Sequence, residues 1–121
     1  MFVGANAWLW QAGTSGELDH KRLVDWMKSP HPKYLIRHYR AWGVADVFAS
    51  ITRAPHTRTD LYLRLAEVVD KRHAIAHGDA SVDATSSDIR AYVAAARTFG
   101  ARVDRLLAAQ ISLFASVPRP W

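Results

Sequence analysis

Cysteine is absent from this chain, so neither a disulfide framework nor a zinc site with thiolate ligands holds the fold together. Long hydrophobic runs are missing too, because the apolar stretch in MFVGANAWLWQAG is shorter than the roughly 20 residues of a membrane-spanning helix. No basic residue precedes that stretch, as a secretory signal would require. We therefore expect a cytoplasmic protein that does not associate with membranes.

The sequence also lacks the alternating pattern of β-strands, internal repeats and low-complexity tracts. It has 121 residues, of which 50% are hydrophobic, and this suffices for one core. A single domain over residues 1–121 is predicted.

Apolar residues recur at three- and four-residue steps, the spacing of helices that bury one face. A short helix is predicted over residues 18–27, and the following SPHP ends it because proline removes a backbone donor and restricts φ. Helical periodicity resumes over residues 33–50, with a break at Gly43. We expect two short helices or one bent helix there.

Two longer helices are predicted in the second half of the chain. After a loop with the sequence TRAPHTRT, Asp60 can cap a helix that stops at Gly78. A polar loop follows, and residues 85–88 offer capping groups for the longest helix, which continues to Phe114. The predicted fold class is all-α, a small bundle of antiparallel helices joined by short loops.

The charge of the chain is basic and unevenly distributed. The formal net charge is +5, and arginine is far commoner than lysine. Residues 21–72 carry eleven Lys or Arg against five Asp or Glu, whereas residues 1–20 carry two acids and no Lys or Arg. Guanidinium groups bind phosphate with a planar, forked donor geometry, so this surplus favours a polyanionic partner. The alternative is that the arginines are only solvated surface charge.

Residues 70–79 read DKRHAIAHGD and place Arg72, His73 and His77 close together in the sequence. On a regular helix, at about 100° per residue, Arg72 and His77 lie about 140° apart, whereas His73 and His77 share a face. Two arrangements bring all three together. Either the helix end distorts near Gly78, or the motif meets its own copy across a two-fold dimer and forms a composite site.

An arginine with two histidines suits RNA cleavage without a metal ion. RNA carries its own nucleophile, the 2′-OH, and needs a base to deprotonate it, an acid to protonate the leaving 5′-oxygen, and cations for the phosphoryl charge. Histidine titrates near neutrality, and arginine forks onto phosphate. On the same helix, Lys71 and Arg64 are predicted to contact the RNA backbone. Asp70 and Glu67 are expected to be solvated or paired with these two cations.

The residues around this motif resemble a known family. Arg72-His73-x-x-x-His77 fits the Arg-x4-6-His pattern of HEPN domains, including the polar residue that they favour directly after the arginine. The wider string LAEVVDKRHAIAHGD, followed by a polar loop, SSDI and a long amphipathic helix, resembles the RiboL-PSP subgroup. SPHPKYLIRHYRAWGV is similar to the proline-containing loop and the next helix of that subgroup. The resemblance covers roughly residues 18–110.

The resemblance implies an all-α, usually dimeric fold whose active members are metal-independent endoribonucleases, often toxins or effectors of defence systems. It implies that Arg72 and His77 carry catalysis, with His73 in a supporting position and no cofactor. The expected partners are RNA, a second copy of the chain, and a neutralising antitoxin or a larger defence complex. Such domains have more helical chain before the proline-containing loop, so an N-terminally shortened domain or a piece of a longer protein is expected.

Three other interpretations of the motif remain open. His77 could simply cap the last carbonyls of its helix and complement the helix dipole. His73 and His77 have the i, i+4 spacing of two zinc ligands, with Asp79 or Asp83 as a third, although the residue after His73 is not the glutamate of a zinc hydrolase. Finally, the chain could be a non-catalytic HEPN-like module that dimerises or binds nucleotide, RNA or protein.

Overall fold

Helices form all the regular structure in residues 7–116 and 118, the part of the chain that this computed structural model describes. Six helices follow one another: α1 (Ala7–Ser15), α2 (His20–Met27), α3 (Pro32–Ala41), α4 (Val47–Ile51), α5 (Pro55–Ala76) and α6 (Ser86–Ala115). The prediction of an all-α fold is thereby confirmed. None of these described helices is both long and apolar enough to cross a bilayer.

Contacts along the chain divide it into two compact units, residues 1–47 and residues 48–121. The predicted single domain over residues 1–121 stays a prediction. In the first unit, the sequence pattern does not predict α1, because its apolar residues form an unbroken run and not a stripe on one face.

The helices α2 and α3 of the first unit follow the local signals of the sequence. Asp19 caps α2, because its side chain accepts a hydrogen bond from a backbone N–H in the first turn. The helix ends at Met27, with Lys28 as its C-cap just before SPHP, and α3 starts with Pro32, whose fixed φ suits a first helical position. Gly43, with a φ of 91°, separates α3 from α4. The break predicted at Gly43 is confirmed, and of the two expected forms, two short helices or one bent helix, the structure has two helices.

The start of α5 was predicted wrongly. Asp60 does not cap this helix, which already begins at Pro55 after an extended Ala54. TRAPHTRT contains a second start signal, since proline at the first helical position loses no intrahelical hydrogen bond. Asp60 lies inside the helix instead, and its carboxylate pairs with Arg64 at 3.6 Å.

The turn between α5 and α6 uses the predicted capping residues. Gly78 has a φ of 79°, which favours glycine and ends α5. Thr85 caps α6 in a capping box, in which its side chain accepts from the Asp88 N–H and the Asp88 carboxylate accepts from the Thr85 N–H.

α5 and α6 run antiparallel and enclose the core of the second unit. Arg102, far along α6, donates to the Ile51 carbonyl just before α5, whereas Lys71 near the end of α5 binds Asp88 at the start of α6. The buried hydrophobic side chains are Phe48, Leu61, Leu65, Tyr92, Ala95, Val103 and Ala108, and one polar residue, Thr52, is buried as well. Burying one leucine contributes about 1.5–3 kcal/mol, so the two leucines fix which face of α5 turns inward.

Candidate functional site

His73 and His77 lie together at the C-terminal end of α5. Their ring centroids are 4.3 Å apart, with an angle of 62° between the ring planes. Both side chains are exposed. The contact follows from the i, i+4 spacing, which stacks side chains on one face of a helix, and the predicted shared face is confirmed.

The backbone, and not the imidazole of His77, caps this helix end. The N–H groups of His77, Gly78 and Asp79 donate to the carbonyls of His73, Ile75 and Ala74, at 3.1, 3.0 and 3.0 Å. These three carbonyls are therefore satisfied without a histidine side chain. The interpretation of His77 as a simple side-chain cap loses its support, and its ring is available for other contacts.

Arg72 lies on a different face of α5 from the two histidines. The inward-facing stripe of the helix runs through the buried Leu61 and Leu65 and the half-buried Val68 at three- and four-residue steps, and the next positions along it are Arg72 and Ile75. Arg72 consequently borders an open cleft of about 390 Å³ between α5 and α6, which neither histidine lines. One chain therefore separates the arginine from the histidine pair, as the 140° angle predicts.

The cleft beside Arg72 is apolar over most of its wall. Ile75, Ile89 and Tyr92 line it. The side chains of Ile75 and Ile89 are 48% and 53% exposed, whereas Tyr92 is buried. Arg72 itself is exposed, and no carboxylate among the described residues lies within ion-pair distance of its guanidinium. The guanidinium is thus open to an external anion.

Lys71 and Arg64, the predicted RNA contacts, are both bound to carboxylates of the protein. Lys71 Nζ lies 3.1 Å from Asp88 Oδ2 and 3.6 Å from Glu67 Oε1. Hydrogen bonding to Asp88 raises the pKa of Lys71. Arg64 lies between Asp60 and Glu67, at 3.6 and 3.9 Å. The expected pairing of Glu67 is confirmed, and a phosphate would have to compete with these carboxylates.

Asp88 has a role that the sequence does not reveal. Local spacing identifies it as part of the α6 cap, but its bond to Lys71 joins residues 17 positions apart. Hydrogen bonds from Thr85 and Lys71, the former the larger contribution, lower the pKa of Asp88. This carboxylate therefore ties the helix that carries the motif to the start of α6.

The proposed third zinc ligands lie in turns of their own. The Asp79 carboxylate accepts hydrogen bonds from the backbone and hydroxyl of Ser81, which lower the pKa of Asp79. Asp83 accepts from the N–H of Ala84. Within the described residues, no three His, Asp or Glu side chains converge as a metal-binding group. The zinc interpretation thus lacks a ligand set in this part of the chain.

Comparisons of the chain with models of protein families, with curated proteins and with solved structures give no match. The resemblance to HEPN domains therefore stays a prediction that depends on the motif residues themselves.

Proposed function

We propose that the protein is a metal-independent endoribonuclease that cleaves single-stranded RNA. The observation that carries this proposal is the exposed, stacked pair of His73 and His77, next in sequence to an arginine that has no carboxylate partner among the described residues. Histidine can act as either base or acid near neutral pH, so His77 can transfer protons with His73 in support, and a guanidinium open to solvent can bind a phosphate.

The chemistry uses the 2′-OH of the substrate. A histidine accepts the 2′-OH proton while the 2′-oxygen forms a bond to phosphorus, and the bond from phosphorus to the 5′-oxygen breaks. A protonated histidine supplies the proton to the leaving 5′-oxygen. The products are a 2′,3′-cyclic phosphate and a 5′-OH. We assign proton transfer to His77, charge stabilisation to Arg72, and a supporting role to His73.

A second copy of the chain completes this site in our proposal. Arg72 and the histidine pair lie on different faces of one helix, so a single chain does not present all three to one phosphate. Beside Arg72, the exposed Ile75 and Ile89 leave an apolar surface that a partner could cover. The composite site requires that a partner chain packed near this surface presents its histidine pair to Arg72.

The test is incubation of the purified protein with labelled single-stranded RNA in the presence of EDTA. We expect cleavage, with products ending in 2′,3′-cyclic phosphate, and survival of DNA and of RNA with 2′-O-methyl at the cleaved position. General acid–base catalysis by one histidine contributes on the order of 10²- to 10⁴-fold, so His77→Ala should nearly abolish activity. Arg72→Ala should do the same, Arg72→Lys should rescue little, and His73→Ala should cost less.

Exposed residues of α5 and α6 outside the motif supply matched control variants. His56→Ala removes another exposed histidine of α5, and Arg97→Ala removes an exposed arginine of α6. Both should cleave RNA like the unaltered protein. Loss of activity with EDTA, comparable cleavage of DNA, or full activity of His77→Ala would contradict the proposal.

A non-catalytic HEPN-like module that dimerises or binds nucleotide or RNA is the second candidate. The separation of Arg72 from the histidines within one chain favours it if no composite dimer forms. Absence of cleavage by a protein that still binds RNA would support this candidate.

As a ribonuclease, the chain would act as a toxin or defence effector, neutralised by an antitoxin or held in a larger defence complex.

A further inference from the structure

The basic surplus of the chain is concentrated in α2, α3 and the loop between them. Residues 20–41 contain six Lys or Arg and one Asp, so this segment alone carries a formal charge of +5, equal to the net charge of the whole chain. All six basic side chains are exposed. The rest of the chain is formally neutral, so a polyanion would be attracted mainly to this surface.

A cleft of about 440 Å³ lies on the same surface, between α2 and α3. Val24, Met27, Leu35, Tyr34 and Tyr39 line it, and Lys28 stands at its edge. Val24 and Met27 are 70% and 48% exposed, although large aliphatic side chains gain by burial. An apolar cleft with an aromatic wall and cations beside it is the composition of a site for a flat, apolar group attached to an anion.

Cations already surround the aromatic ring of Tyr34. Lys33 Nζ lies 5.0 Å from the ring centroid and Arg37 Cζ lies 5.4 Å from it. Arg37 also donates to the Trp26 carbonyl at 3.4 Å, which links α3 to α2. The ring and both cations thus lie within one turn of α3, where a base and its neighbouring phosphates could be bound together.

His38, which also lines the cleft, belongs to its wall and not to a second catalytic centre. Its ring packs against Trp26 with the centroids 4.6 Å apart, and its Nδ1 is buried without a hydrogen-bond partner among the described residues. Burial lowers the pKa of His38 and so favours the uncharged imidazole. The cleft therefore provides contacts for binding and no paired acid and base.

We propose that the α2–α3 surface binds single-stranded nucleic acid, with one base stacked on Tyr34 in the cleft and the flanking phosphates on Lys33 and Arg37. The choice of RNA as the natural ligand rests on the proposed function, whereas the binding site itself does not. Base stacking on an aromatic side chain is tolerant of sequence, so this surface gives affinity without base specificity.

The experiment measures nucleic-acid binding under conditions that prevent cleavage. All proteins carry His77→Ala, EDTA is present, and the probe is a fluorescein-labelled oligouridine of 12 nucleotides, followed by fluorescence anisotropy. A second probe has the same length and phosphates but abasic sites in place of bases. We expect Tyr34→Ala to weaken oligouridine binding on the order of ten-fold and to leave abasic binding unchanged. Tyr34→Phe, which keeps the aromatic ring, should bind both probes normally.

Charge variants test the phosphate contacts. The double substitution Lys33→Gln and Arg37→Gln should make the negative slope of log affinity against log salt shallower by about 1.4, since each neutralised phosphate of a single strand contributes about 0.7. Arg97→Gln with Arg105→Gln removes the same charge from exposed positions of α6 and should leave the slope unchanged. Thermal unfolding of each variant checks that its fold is intact.

Three results would overturn this site: equal binding of the two probes, equal slopes for the two charge variants, or displacement of RNA by an acidic peptide at matched charge. The last would assign the surface to an acidic protein partner. Cleavage by the unaltered protein together with one of these results would leave the ribonuclease proposal standing. Binding as expected without any cleavage would refute the ribonuclease and leave this site standing.

Discussion

Two inactive variants should restore activity when they share a dimer. Arg72→Ala removes the arginine at the α5–α6 cleft, and His77→Ala removes a ring on another face of the same helix. If each site takes its arginine from one chain and its histidine from the other, a dimer of the two variants keeps one complete site of two. Random exchange makes about half of all dimers mixed, so the mixture should reach about one quarter of the unaltered activity.

The assay is cleavage of a fluorophore–quencher RNA with EDTA, after the two variants have been incubated to exchange subunits. Native mass spectrometry measures the fraction of mixed dimers. A control mixture of His77→Ala with the double variant Arg72→Ala, His77→Ala contains no His77 and should stay inactive. Each variant alone should lie on the order of 10²- to 10⁴-fold below the unaltered protein. If mixed dimers form and the mixture is no more active than either variant, the composite site is refuted.

Further predictions concern the interface, acid stability and the helix end. Ile75→Asp should make the protein monomeric by light scattering and abolish RNA cleavage. Leu63→Asp, at another exposed position of α5, should change neither the oligomeric state nor the activity. A dimeric Ile75→Asp would contradict the proposed interface. Because the pKa of Asp88 is lowered, its bonds stabilise the fold above the ordinary carboxyl pKa and are lost as the pH falls below it. Asp88→Asn should therefore lower the Tm at pH 7 and much less at pH 3, and an equal loss at both would refute that role. Gly78→Ala should lower the free energy of unfolding, measured with urea, by about 1–2 kcal/mol, because the left-handed backbone there disfavours a Cβ. An unchanged free energy of unfolding would show that the turn readjusts.

Local signals allowed much of the fold to be predicted. The breaks at Gly43 and Gly78 and the cap at Thr85 depend on residues within one turn, and they lie where the sequence places them. The start of α5 was missed because Pro55 and Asp60 are both valid start signals, and only the packing of the whole helix decides between them. The ion pair of Lys71 with Asp88 could not be foreseen, since it depends on the register of two antiparallel helices.

For the candidate site, helical geometry predicted the relative positions of side chains on α5, but not their contacts with other elements or with another chain. The contact of His73 with His77 and the separation of Arg72 from them both follow from 100° per residue. Whether a second chain supplies the missing partner depends on surfaces distant in sequence, such as Ile75 with Ile89. Sequence spacing therefore identifies the chemical groups of the site, but not how they are assembled.

Our two proposals assign RNA binding and the chemical step to different charged residues. The cations of α5 are largely balanced by acids of the same helix or of α6, and Lys71 bound to Asp88 is an example. Arg72 is the cation of the motif without such a carboxylate among the described residues, and in the proposed function its charge acts on the reacting phosphate. The exposed cations of α3, by contrast, stand beside an aromatic cleft without a paired acid and base. Lys33→Gln with Arg37→Gln should consequently raise the KM for RNA cleavage with little change in kcat, whereas Arg72→Ala should lower kcat. A fall in kcat for the α3 variant at an unchanged KM would mean that these cations act on the reacting phosphate, and the division of roles would be wrong.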